Sequence, residues 1–159
     1  MVFLIESIAA CLLFTLMIKI ATAKRREVFT DDYPPVVTNK LRAMGLIADK
    51  PLARKTDIIR KLITIVIYAI LFALLLRYVN GIETFLEGML TAYTLWLVVD
   101  WYDFLVLDVL LAPFDKFYKA SGVSAFHKSA VWFHFKASLR GTVIGAAFAP
   151  IVGLLIMLF

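Results

Sequence analysis

The sequence predicts an all-α membrane protein: four transmembrane helices with short cytoplasmic interfacial helices. Of its 159 residues 62% are hydrophobic, and the mean hydropathy is +0.88, whereas soluble domains average about 45–50% apolar residues. Four runs, Val2 to Ile20, Leu62 to Tyr78, Leu86 to Ala112 and Thr142 to Phe159, match or approach the ~20 residues a helix needs to cross a bilayer. The runs are continuous in Leu, Ile, Val, Ala and Phe, unlike the alternating segments of about ten residues that build a membrane barrel. One domain over residues 1–159 follows, with helices near 2–20, 62–78, 86–112 and 139–159 and cytoplasmic loops at 21–61 and 113–138.

The first run ends in Ala21-Thr22-Ala23, which has the small-x-small form of a leader cleavage site. No Lys or Arg precedes the run, and Glu6 interrupts it, so a first transmembrane helix is expected instead. The single cysteine, Cys11, falls in this helix and has no partner for an internal disulfide.

Charge orients the helices. Residues 21–61 carry ten Lys or Arg against five acids, and residues 113–140 carry Lys116, Lys119, Lys128, Lys136 and Arg140 against Asp115. The positive-inside rule puts both segments in the cytoplasm and both termini outside. The net charge of +5 is thereby explained by topology and anionic lipid headgroups, and nucleic acid is not an expected partner.

Local signals mark the connections. Asn80-Gly81 supplies a tight turn between the second and third helices. Asp31-Asp32-Tyr33-Pro34-Pro35 cannot continue a helix, because neither proline donates an amide and each restricts the residue before it. Val36 to Met44 and Lys50 to Arg60 alternate apolar and basic residues at helical spacing, as in short interfacial helices. Pro113 ends the third helix, and Phe114, Phe117, Tyr118, Phe126, Trp132, Phe133 and Phe135 then form an aromatic belt of the headgroup region.

The chemistry concentrates in the third helix. Asp100, Asp103 and Asp108 lie in an otherwise apolar stretch, where each Asp facing lipid would cost roughly 2.5–3.5 kcal/mol. At about 100° per residue the three cover an arc of about 140°, with Asp103 and Asp108 at its ends. Trp101 and Tyr102 border that face. Asp108 and Asp103 are expected to pair with Arg140, Lys136 or Lys19, with Lys136 and His134 carried by a fourth helix extended one or two turns beyond Arg140. Asp100 has no basic residue at its own depth, which makes it the expected neutral acid and proton carrier. Asp100, Asp103, Asp108, Arg140 and His134 thus form the expected proton-handling set.

Two further groupings carry charge. Glu6, Arg77, Glu83 and Glu87 fall near the external helix ends and form an outer cluster, read as an ion network or a cation entry site. His134 with Asp103 or Asp108 is the conceivable metal site, since imidazole and carboxylate suit zinc, iron or copper. His127, seven residues from His134, is too far along one helix to share the ion. Nothing in the sequence names a cofactor.

Gly141, Gly145, Ala149 and Gly153 recur every four residues in the fourth helix and form a small-residue ribbon for close helix approach. Pro150 predicts a kink there. Phosphate loops, His-Glu-x-x-His pairs, nucleophile elbows and internal repeats are absent from the sequence.

Asp103-Phe-Leu-Val-Leu-Asp108, followed by His134-Phe-Lys-Ala-Ser-Leu-Arg-Gly141-Thr-Val-Ile-Gly145, resembles a group of small bacterial membrane proteins. Their pattern reads Trp-Asn-x-x-Asp-x4-Asp with a later His-Phe-x5-Gly-Thr-Val. This chain has Val99-Asp100 in place of the Trp-Asn pair and lacks the group's Pro-Gly-Thr-Glu turn. The resemblance implies a bacterial inner-membrane protein with Asp103, Asp108, His134 and Gly141 in one motif, and it supplies no activity.

Three functions are compatible with these residues: proton or cation handling by a small transporter or channel, a metal-dependent membrane enzyme acting on a lipid-like substrate, and an accessory subunit of a membrane complex. The first is favoured. A homo-oligomer or a membrane partner is expected, because four helices barely enclose a pathway.

Overall fold

The computed structural model describes the backbone of residues 2–25, 32–48 and 55–159, and the side chains of 3–20, 32–48, 59 and 63–159. Six α-helices follow in chain order: α1 (Val2–Arg25), α2 (Pro35–Ala43), α3 (Lys55–Tyr78), α4 (Phe85–Tyr102), α5 (Lys116–Ser121) and α6 (Lys128–Leu158). A π-helical segment, Asp103–Leu110, continues directly from α4, and a 3-10 turn, Ala112–Phe114, precedes α5. No strand occurs among the described residues. Among the described residues three helices are long and apolar enough to cross a membrane: Phe3–Ile20, Phe85–Leu110 and Lys128–Leu158. The apolar stretch of α3, Ile63–Tyr78, is shorter.

Local chemistry accounts for the boundaries. Pro35 opens α2 at a first-turn position, where its missing N–H costs nothing. The helix closes with Gly45 at φ +69°, donating from its N–H to the Arg42 carbonyl while Leu46 donates to Leu41. This six-to-one and five-to-two pattern is a Schellman closure, and the left-handed φ is why glycine stands there. Gly81, at φ +67°, makes the turn expected after Asn80. Thr84 caps α4 by accepting the N–H of Glu87 at 3.3 Å, half of a Thr-x-x-Glu capping box. Asp115 does the same for α5, accepting from Phe117 N–H at 2.7 Å.

The third helix ends just before Pro113. The helical winding has stopped at Leu110, and Pro113 sits inside the 3-10 turn. Other expected boundaries are corrected. The connection expected at 113–138 is largely helical, because α6 begins at Lys128 and not near 139. It starts from a turn in which Ala130 and Val131 donate to the His127 carbonyl. The helix expected at Val36 to Met44 is α2. Of the one expected at Lys50 to Arg60, residues 50–54 lie outside the described residues and the backbone from Lys55 belongs to α3. α6 continues as helix through Pro150.

The chain divides into two compact units. The first comprises Met1–Lys50 and Val98–Arg140. Its core is built from Val37, Leu41, Ile47, Ala112, Tyr118, Val123, Ala125 and Ala130, with Tyr33 and Phe117 packed against them. The second comprises Pro51–Leu97 and Gly141–Phe159. Ala69, Ala73 and Leu76 of α3 meet Ala92 and Leu95 of α4 and Phe148, Ala149, Val152 and Ile156 of α6 in its core.

The small-residue ribbon packs as its spacing predicts. A Cβ added at Gly145 would collide with the Trp96 indole, and one at Gly153 would lie 2.7 Å from the Phe85 carbonyl oxygen. Trp96 also donates from its indole N–H to the Gly141 carbonyl at 2.9 Å. The ribbon therefore faces α4.

Candidate functional site

The first unit holds a cavity of about 340 Å³ whose polar lining comes from Thr15 and Lys19 of α1, Asp32 and Tyr33 before α2, Asp103 and Asp108 of the π segment, Asp115, Tyr118 and His134. The π winding explains how two carboxylates five residues apart share it. Leu111 N–H donates to Val106 O at 2.8 Å, an i to i+5 bond. With that bonding, residues five apart are about one turn apart. In an α-helix the same two aspartates would diverge by about 140°. The separation of about 140° expected between Asp103 and Asp108 is therefore narrower in the π winding.

Behind Asp108 stands a buried imidazole. His134 Nδ1 lies 2.8 Å from Asp108 Oδ2, and His134 Nε2 lies 3.0 Å from the Tyr118 hydroxyl. Both His134 and Tyr118 are 4% exposed. A carboxylate at Asp108 can only accept, in which case Nδ1 is the donor. With a neutral ring Tyr118 donates to Nε2; with an imidazolium Nε2–H donates to the phenol oxygen. The chain from carboxylate through imidazole to phenol can thus hold or pass one proton without breaking a contact. Burial, with Asp108 and Asp115 nearby, pushes the Tyr118 phenol above its ordinary range, so Tyr118 acts here as a neutral hydroxyl. At the rim, Tyr102 and Thr15 join their hydroxyls at 2.9 Å.

The expected set is only partly assembled. Asp103, Asp108 and His134 come together with Lys19 at the cavity. Arg140 and Lys136 are exposed, and among the described residues neither makes an ion pair with an Asp. Lys136 instead lies over the Trp132 ring, 5.2 Å from its centroid. The partner of Asp108 is histidine because α6 starts early enough to bring His134 to it on a buried face. Asp100 is half-buried, does not line the cavity and is not isolated. Trp101 packs against Phe104 and Phe135 and does not line the cavity.

The metal reading gains no support from this geometry. Both ring nitrogens of His134 are engaged by Asp108 and Tyr118, and among the described residues no group of three His, Cys, Asp or Glu is placed to hold a metal ion. His127 is exposed and bonds Ser129 through Nδ1 at 2.7 Å. In the outer cluster, Arg77 pairs with Glu83 at 2.9 Å in the second unit, and Glu87 serves the α4 cap through its N–H. Glu6 belongs to the first unit, where its Oε2 is buried without a hydrogen-bond partner among the described residues.

Sequence reasoning missed Asp32, Asp115, Thr15 and Tyr118 as cavity residues. Asp115 carried a signal, standing just after Pro113 where a helix cap is needed. Tyr118 carried none, because it reads as one ring among many in the aromatic belt. Compared with protein families, curated proteins and solved structures, the chain matches none.

Proposed function

We propose that the chain is a four-span protein of a bacterial inner membrane that handles protons or small cations, as a transporter or channel, through the carboxylate cavity of its first unit. Membrane placement is supported by apolar side chains that point outward along the helices, among them Leu12 and Leu13 at 62% and 67% exposure on α1 and Val143 at 70% on α6. Apolar surface of that extent is suited to lipid and not to water. α3 is the fourth span in this reading: its apolar stretch Ile63–Tyr78 extends about 24 Å within a helix of about 36 Å. The two basic connections then face the cytoplasm and the termini face outward. The bacterial inner membrane follows from the resemblance of the Asp-x4-Asp and His-Phe-x5-Gly-Thr-Val segments.

One observation carries the functional reading: among the described residues, four carboxylates, Asp32, Asp103, Asp108 and Asp115, and one ammonium, that of Lys19, line a cavity backed by the buried His134. Carboxylates within a transmembrane segment mark ion and proton paths, because little else repays their desolvation. A cation entering here meets oxygen ligands, and a proton meets a relay already hydrogen-bonded. A second copy or a membrane partner completes the pathway.

The test is flux in proteoliposomes holding the purified chain. Wild-type protein should dissipate an imposed proton or potassium gradient, and Asp103→Asn should reduce the rate at least tenfold with the fold retained. Wild-type vesicles no leakier than protein-free ones sink the proposal.

A further inference from the structure

Between its start and Arg140, α6 presents two opposite stripes. Ala130, His134 and Ser138, four residues apart, are buried at 0%, 4% and 5% exposure. Lys128, Trp132, Lys136 and Arg140, also four apart, are all exposed. At about 100° per residue, positions two apart point about 200° from each other, so seating the first stripe in the core turns the second outward.

The outward stripe is three cations and an indole, without counter-charge. The α6 sequence contains no Asp or Glu. Among the described residues, Lys128, Lys136 and Arg140 make no ion pair. Lys136 Nζ lies 5.2 Å from the centroid of the Trp132 ring, itself 53% exposed. Arg140 is the last charged residue of the chain, and Leu139 beside it is 44% exposed. The stripe therefore ends where the helix becomes wholly uncharged, which is the level at which headgroups meet acyl chains.

We propose that this stripe is a binding site for the phosphodiester headgroup of an anionic phospholipid. Lys136 and Arg140 stand about one turn, roughly 6 Å, apart along the axis, a separation that lets both donate charge-assisted hydrogen bonds to one phosphate. Trp132 fits the headgroup level through its indole, and Leu139 offers apolar surface to the start of an acyl chain. The inference rests on the membrane location proposed above and is independent of the cation chemistry of the cavity.

Quenching of Trp132 tests it, using the full chain in vesicles of phosphatidylcholine with a minor fraction of brominated phosphatidylglycerol or brominated phosphatidylcholine. The Trp132 contribution is the difference from Trp132→Phe. Brominated phosphatidylglycerol should quench several times more effectively per molecule, and Lys136→Gln with Arg140→Gln should remove the preference, roughly fivefold per charge, while circular dichroism shows unchanged helix. Equal quenching by the two lipids overturns the headgroup site and leaves the membrane location standing, as would be found if an acidic protein segment were the true occupant. A preference that survives the double substitution also overturns it. If neither lipid quenches Trp132, the membrane location fails with it.

Discussion

His134 and Asp108 meet at 2.8 Å through Nδ1 and Oδ2, with the imidazole 5% and the carboxylate 29% exposed. A charge-assisted bond at such a site contributes about 1.5–3 kcal/mol, and a neutral one about 0.5–1.5. Asp108→Asn should therefore lower stability by about 1 kcal/mol, and Asp108→Leu, which strands the Nδ1 proton, by about 1.5–3. Thermal unfolding in detergent measures both. A leucine variant as stable as wild type would mean that His134 is held by something other than Asp108.

Tyr118 gives this arrangement an alkaline limit. Its phenol is raised above the ordinary value by burial first and then by Asp108 and Asp115. The folded chain keeps that proton at a pH where the unfolded chain has lost it, so stability is full below about pH 10 and falls as the pH rises further. Tyr118→Phe should cost about 1 kcal/mol at neutral pH through the lost hydrogen bond and flatten the decline above pH 10. Parallel alkaline slopes for the two proteins would contradict the assignment.

In the second unit Gly145 has no room for a side chain. An added Cβ meets the indole of Trp96, which is fixed by its bond to the Gly141 carbonyl. Gly145→Ala should destabilise by about 1–3 kcal/mol through overpacking, and Gly145→Leu by more. Trp96→Phe in the same chain should recover part of the alanine cost, because the two residues are in contact and their effects do not add. Strictly additive losses would mean that the clash is relieved elsewhere.

The ribbon was legible because every-fourth-residue spacing of Gly and Ala specifies a helix face whatever the partner. The turn at Asn80-Gly81 and helix α2 were legible for the same reason, each being set by neighbours in sequence. Thr84-Phe-Leu-Glu87 was a readable capping box that the longer apolar run concealed. The π segment was not readable, since Asp103 to Leu110 contains no Pro or Gly to announce a change of winding. That one unannounced change moved Asp108 relative to Asp103. The early start of α6 was hidden by Lys, His and aromatic residues that suit an interface as well as a helix, and with it the contact of His134 with Asp108.

Topology is the next expectation open to direct measurement. An even number of spans with both basic connections inside leaves Phe159 outside. A reporter fused after Phe159 that is active only in the cytoplasm should be silent, while one active only outside should be bright. The opposite pattern would reduce the spans to three, as the shorter apolar stretch of α3 would then not cross.

The aspartates separate most clearly by their relation to the cavity. Asp103 lines it beside Asp108 and Lys19, whereas Asp100 does not. If ions or protons pass by way of this cavity, Asp103→Asn should cut flux at least tenfold, and Asp100→Asn, one helical turn away, should change it by less than about threefold, since a charge beyond the lining acts only through a screened field. Asp103→Glu, which restores the charge on a longer arm, should recover much of the loss. Repeating the measurement with proton and potassium gradients imposed separately identifies the carried species. Flux that depends on Asp100 and is indifferent to Asp103 would move the pathway out of the cavity and onto the preceding turn of α4.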